Sequence, residues 1–305
     1  MMEMRCEVST RGETRLRSRR PAAPCGMKRF CVLCCSVLAG FLSLTGCSEE
    51  KANQASTQGG GGGKEVLPRL VIAMDATYPP FEYTNETGEF AGVSVDLGNA
   101  IGEHLGRKVE FRNINFDGLI AALKSGSVDI IISSVTASDE RRKSVDFSDP
   151  YVKTGLAMLL WKDSPVQKVE DLNDPARRVV VRLGTTGEQY VRQYLPKAQV
   201  IALDGDTACV MEVVKGGVDA WIYDQLSLMN YHDKQQQTTR VLLKPLREEV
   251  WAVALRQGDT DLKEKINECL AKLRKDGTFN KLAEKHLTKE KKMMEEQGIP
   301  FVFDL

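Results

Sequence analysis

"FDGLIAALKSGSVDIIISSVTASDERRKSVDFSDPY", residues 116–151, contains the change of period that decides the fold. Phe116, Leu119, Ile120 and Leu123 recur at i, i+3, i+4 and i+7, which is one apolar face of a helix. Asp117 is placed to cap its start and Gly126 to end it. "VDIIISS" (128–134) then runs apolar without interruption, as expected of a strand covered on both faces. A helix feeding a buried strand is half of a crossover unit.

The same grammar extends in both directions. Upstream, "RLVIAMD" (69–75) reads as a buried strand, followed by a predicted helix from Ser94 to Gly106. After Pro150 come the strand-like "GLAMLLW" and "RRVVVRLG", the helix "EQYVRQYL", the strand "QVIAL", the helix "DTACVMEVVKGG" and the strand "VDAWIYD". A last long helix in "DTDLKEKINECLAKLRKDG" aligns Leu262, Ile266, Leu270 and Leu273. This alternation predicts an α/β fold. Two similar β-α-β groups stand out, at 69–135 and 178–224. Each ends a helix in glycine and opens a strand with Val-Asp: Gly126-Ser127-Val128-Asp129 and Gly216-Gly217-Val218-Asp219. Two lobes of like architecture are the economical reading, and the chain beyond Glu65 is long for a single core.

The first 65 residues have another character. Met27-Lys28-Arg29 precedes "FCVLCCSVLAGFLSL", a basic start and an apolar run too short to span a bilayer, the pattern of an export signal. It closes on Leu44-Thr45-Gly46-Cys47, which resembles the lipobox of bacterial lipoproteins and marks Cys47 for lipidation. Residues 1–46 are thus expected to be an upstream segment plus signal peptide, with a second start at Met27. Residues 47–65, with five consecutive glycines at 59–63, lack bulky apolar side chains and are expected to be a flexible tether from the membrane. Six of the eight cysteines fall in or before this region; Cys209 and Cys269 are expected to be free, buried thiols. Lys plus Arg and Asp plus Glu both total 42, but the part from Cys47 onward has a mild acidic surplus, which argues against a nucleic-acid partner. "DGD" (204–206) and "DTD" (259–261) lack the oxygen ligands of a calcium loop, so no metal and no cofactor is expected.

In open parallel sheets ligands collect beyond the carboxyl ends of strands. Here those ends carry "MDATYPPFEY", "SSVTASDERR", "RLGTTGE" and "YD". Together with "GVSVDL", the opening 36-residue stretch and "LRKDGTFNKLAEKH", in this order, they make residues 67–287 resemble the periplasmic solute-binding proteins of polar amino-acid transporters, bacterial family 3. The resemblance implies a type II periplasmic binding protein: two α/β lobes joined by a two-strand hinge, lobe 1 from 66–154 plus 250–290, lobe 2 from 156–247, and a C-terminal extension, 291–305. In that extension a longer helix and a small packed strand are expected.

The resemblance also implies the site. Arg141 would grip an α-carboxylate in two-pronged fashion, with N–H groups near Thr136 and Thr186, beside Thr185, as further donors. Asp224 would pair with the α-ammonium, helped by oxygens around Ser133, Ser134 and Thr136. Tyr78 and Phe116 would sandwich the ligand side chain. Asp75 would meet its tip, and Arg182 stands where glutamine binders can carry a cation. An amide satisfies Asp75 and Arg182 together, which favours glutamine, with arginine second. Gly187 replaces a side-chain amide found in relatives. Glu82 would be a contact behind the site, in a turn fixed by Pro79 and Pro80. Ligand-stabilised closure would then present the molecule to an ABC permease on the extracytoplasmic face. Two other readings use the same fold: a cyclohexadienyl or arogenate dehydratase with Glu82 or Asp75 as its acid, and a sensory input domain. No histidine-centred apparatus is expected, since His104, His232 and His286 read as surface residues.

Overall fold

The structure, a computed structural model, describes residues 68–305. The expected signal segment, Cys47 and the glycine-rich tether lie outside the described residues.

The chain runs β1 (Leu70–Met74), β2 (Thr77–Tyr78), β3 (Glu82–Thr84), β4 (Phe90–Ala91), α1 (Val93–His104), β5 (Val109–Asn113), α2 (Leu119–Lys124), β6 (Ile130–Ile131), α3 (Asp139–Arg142) and β7 (Val145–Trp161). It continues with β8 (Arg178–Arg182), α4 (Thr186–Tyr194), β9 (Gln199–Leu203), α5 (Asp206–Val214), β10 (Ala220–Asp224), α6 (Gln225–Lys234), β11 (Thr239–Arg256), α7 (Thr260–Lys275), α8 (Thr278–His286) and α9 (Thr288–Glu296). Eight strands form one sheet in the order β5-β1-β6-β11-β7-β10-β8-β9, and β2-β3-β4 form a small one. β1 pairs in parallel with β5 and β6, and β8 in parallel with β9 and β10. Between these two parallel flanks lie the long antiparallel strands β7 and β11. Their ladder shifts register three times, most widely near its middle, where Leu242 faces Met158 and the next pair is Arg247 with Leu156.

Sequence-local devices repeat across the flanks. Asp129 accepts the Val71 N–H (3.0 Å) and pairs with Arg107 (2.9 Å). Asp219 does the same with the Arg178 N–H (2.9 Å) and Arg177 (3.1 Å). The two Val-Asp motifs therefore tie the start of each strand to that of its neighbour, filling donors that a strand end leaves open. Leu119 and Leu123 are buried under one flank and Val179, Val181 and Ile222 under the other, each contributing roughly 1.5–3 kcal/mol of burial. Cys209 on α5 and Cys269 on α7 are buried and unpaired, and burial pushes their thiols up to about 12 and about 11.

Two local expectations fail. Asp117 caps nothing: residues 116–118 form a 3-10 turn leading into α2, and the Phe116 N–H is answered by Asp75 (3.0 Å). The tail adds no strand. Residues 297–305 pack as irregular chain after α9, with the Val302 carbonyl accepting from Lys153 N (2.8 Å) and Pro300 supplying no ladder donor.

Candidate functional site

All the residues expected from the sequence to face a ligand line a single cavity between the two parallel flanks. Asp75, Tyr78, Phe116, Ser133, Ser134, Thr136 and Arg141 come from the β1 side; Arg182, Thr185, Thr186 and Asp224 from the β8 and β10 side.

Arg141 projects from α3, whose first turn is capped by Ser138. It is 6% exposed, and Nη1 and Nη2 donate to the carbonyls of Thr136 (2.9 Å) and Gly184 (3.1 Å). Among the described residues no carboxylate pairs with it, and burial pulls its pKa down to about 10, so it stays charged at neutral pH. A buried cation held only by neutral oxygens attracts an anion strongly. The Phe116 ring lies 5.3 Å from this guanidinium and 5.6 Å from that of Arg182. It also packs on the core under α2.

Asp224 ends β10 and caps α6: its Oδ1 accepts the Ser227 N–H (2.9 Å) and the Tyr78 hydroxyl (2.7 Å). Burial raises its pKa. The Tyr78 bond joins one flank to the other. Tyr78 packs edge-on against Trp251 (5.8 Å) and Tyr223 (6.4 Å).

The other end of the cavity is differently filled. Arg182 is 2% exposed and pairs with Asp75 on one side and Asp206 (2.8 Å) on the other, with Tyr223 (3.2 Å) beside it. Burial opposes its charge, but Tyr223, Asp206 and Asp75 outweigh that and hold its pKa high. Its Nε has no partner. Both Asp75 oxygens are engaged, Oδ1 by Thr77 (2.8 Å) and Oδ2 by the Phe116 N–H and Arg182. The expectation that Asp75 awaits a ligand tip therefore needs correction: the nearest cation is already in the protein. Ser133 serves the backbone, accepting from Asp75 N (2.9 Å), and Thr185 caps α4 while donating to the Arg182 carbonyl (2.7 Å).

Glu82 faces the cavity directly rather than from behind it. It is 1% exposed, accepts from Ser94 (2.6 Å) and Ser134 (3.2 Å), and burial pushes its carboxyl up to about 8 despite those hydroxyls. Ser134 adopts φ 50°, a left-handed conformation uncommon for serine and often found at binding sites. Gly187 has a packing reason: a Cβ there would meet the Ile222 carbonyl at 2.4 Å.

Sequence reasoning missed Glu249, Trp251, Tyr223 and Leu156, all of which line the cavity. A signal existed. Along β11, Glu249, Trp251, Val253 and Leu255 share one face by the two-residue period of a strand, and all four are buried. None of the three histidines lines the cavity; His286 is half-buried against Asp96 (2.7 Å) rather than free on the surface. Among the described residues no cluster of His, Cys, Asp and Glu could hold a metal ion, and no helix is long and apolar enough to cross a membrane.

Residues 70–289 match the family described as bacterial extracellular solute-binding proteins, family 3. The chain is 33% identical over 218 residues to the L-cystine-binding protein TcyJ of Escherichia coli, covering 71% of this chain and 81% of the relative. It is similar to the crystal structure of the ancestral amino acid-binding protein AncCDT-1, a precursor of cyclohexadienyl dehydratase, with 38% identity, a TM-score of 0.65 and coverage of 72% and 94%. It is also similar to an ancestral arginine-binding protein bound to glutamine, with 36% identity, a TM-score of 0.66 and coverage of 72% and 97%. With the family match spanning most of its length, the chain belongs to the bacterial extracellular solute-binding proteins, family 3.

Proposed function

We propose that this protein captures a single polar L-amino acid outside the cytoplasm, is held to the membrane by a lipid on Cys47, and delivers its cargo to an ABC permease. The observation that carries this reading is a buried, carboxylate-free Arg141 on one flank and a buried Asp224 on the other, lining one cavity. A zwitterion enclosed between them exchanges water for one fixed partner at each end. The two flanks act as lobes, 66–154 plus 250–290 and 156–247, that swing about β7 and β11 where their ladder is interrupted.

The side chain favoured is glutamine-like. Arg182 leaves Nε unpaired, a donor that an amide oxygen satisfies and a guanidinium cannot. Arginine is the second reading, and it requires Asp75 to exchange its Arg182 partner for the ligand's guanidinium. The structural neighbour described as arginine-binding and bound to glutamine is consistent with either.

A thermal-shift screen of the purified protein against glutamine, arginine, histidine and cystine tests this. A large rise in Tm with glutamine alone supports the amide argument. A rise with arginine alone defeats it, and no rise with any free amino acid defeats the whole proposal. Catalysis is the competing use of Glu82, an acid kept protonated beside the cavity. Absence of turnover with prephenate-like substrates is the expected result.

A further inference from the structure

Glu249 is a buried charge that amino-acid capture does not require. It stands on β11 where the ladder with β7 resumes, opposite Thr154 and two residues beyond Arg247. It is 5% exposed and reaches the cavity. Its Oε2 accepts two hydroxyl protons at once, from Thr136 (2.8 Å) and from Thr186 (2.9 Å). Thr136 follows β6 on one flank, and Thr186 opens α4 on the other. Its Oε1 accepts from Arg247 Nε (3.1 Å) and Nη2 (2.5 Å). One carboxylate thus ties both flanks to the strand between them.

Three features make this more than a satisfied core acid. The Arg247 pair holds the carboxylate from its own strand, so the group keeps a fixed place whichever way the flanks move. The threonines reach the same oxygen from different flanks, so both bonds form together only when the flanks are close. Both hydroxyls also meet this oxygen in the buried interior, where a hydrogen bond is stronger than in water.

We propose that Glu249 is the latch of closure: a positioning residue that stabilises the closed arrangement through Thr136 and Thr186 and thereby sets how slowly a ligand leaves. The proposal rests on hinge closure as the working motion, but not on the identity of the ligand. Because the latch forms whenever the flanks close, with or without ligand, and must break before a ligand can leave, it acts chiefly on dissociation rather than association.

The test uses the full chain carrying Glu249→Ala, Glu249→Gln, Thr136→Val or Thr136→Ser. Small-angle X-ray scattering of ligand-free protein reads compactness without any ligand, and stopped-flow with L-glutamine separates the rate constants. Glu249→Ala is expected to enlarge the ligand-free radius of gyration and to speed dissociation at least tenfold, with association changed less than twofold. Thr136→Val follows it. Glu249→Gln stays within threefold of the parent, since an amide can give its oxygen to Arg247 and its NH2 to the hydroxyls, which also accept. Thr136→Ser, which keeps the hydroxyl, is expected to keep the parent's ligand-free radius of gyration. An unchanged radius of gyration in Glu249→Ala overturns the latch whatever happens to binding. Dissociation that is equally fast in Glu249→Gln and Glu249→Ala also overturns it, because the charge alone would then be the cause. If the parent binds no amino acid, the site reading fails while the scattering comparison still decides the latch.

Discussion

The two ends of the cavity each hold a buried arginine, yet in opposite electrostatic states. Arg141 is met by two backbone carbonyls, whereas Arg182 is clamped between Asp75 and Asp206. A cation hydrogen-bonded only to neutral oxygens has its best partner still to come; a cation between carboxylates is already neutralised and acts as part of the wall. The difference teaches that residue type alone does not make an anion site. The same guanidinium is a receptor at one end and a strut at the other.

Substitution should separate these roles. Arg141→Met removes the only charge offered to a ligand carboxylate, so the Kd is expected to rise about a thousandfold or more, on the scale of truncating a buried charge pair. Ligand-free stability should hold or improve, because an uncompensated buried charge is gone; chemical denaturation of the same sample checks it. Arg182→Met should do the reverse. It strands Asp75 and Asp206 in the interior and is expected to destabilise the ligand-free fold by about 3–5 kcal/mol. Equal stability losses in the two variants would break the comparison.

Glu82 sharpens it further, since it lies near the clamped end and stays protonated. Its folded pKa, about 8, stands above the unfolded value of about 4.3, so its stabilising contribution is complete below the lower figure and declines until the pH passes the higher. Glu82→Gln should abolish that decline and be more stable than the parent at pH 9 by about 2–4 kcal/mol. Thermal denaturation from pH 4 to 9 reads the difference, and parallel curves for the two proteins would contradict it. The smallest effect is expected at Tyr78→Phe, which removes one bond to Asp224 across the flanks. Affinity should fall about fivefold to tenfold, the net value of a typical single hydrogen bond.

Much of this was legible before any coordinates. The period change in 116–151 announces the α/β class, and the paired Val-Asp motifs announce two similar flanks whose aspartates do the same work at Val71 and Arg178. Arg141 and Asp224 lie in segments that follow predicted strands, but their roles are what the resemblance to the solute-binding family implies. What stayed hidden depends on contacts far apart in sequence. Arg182 lies 107 positions from Asp75, and nothing local says that the two will neutralise each other. Glu249 sits within Arg-Glu-Glu, which reads as solvated charge until its strand period is followed to Trp251. Asp117 has a capping residue's position, but Asp75 reaches the first donor instead.

The central claim is that both charges of one zwitterion are held at once, by Arg141 and by Asp224. Calorimetric titration of the purified protein with L-glutamine, its α-carboxamide and its N-acetyl derivative tests this from the ligand's side. The account predicts that the parent amino acid binds and that capping either charge weakens binding at least a hundredfold. A capped derivative that binds as tightly as the free amino acid would contradict it.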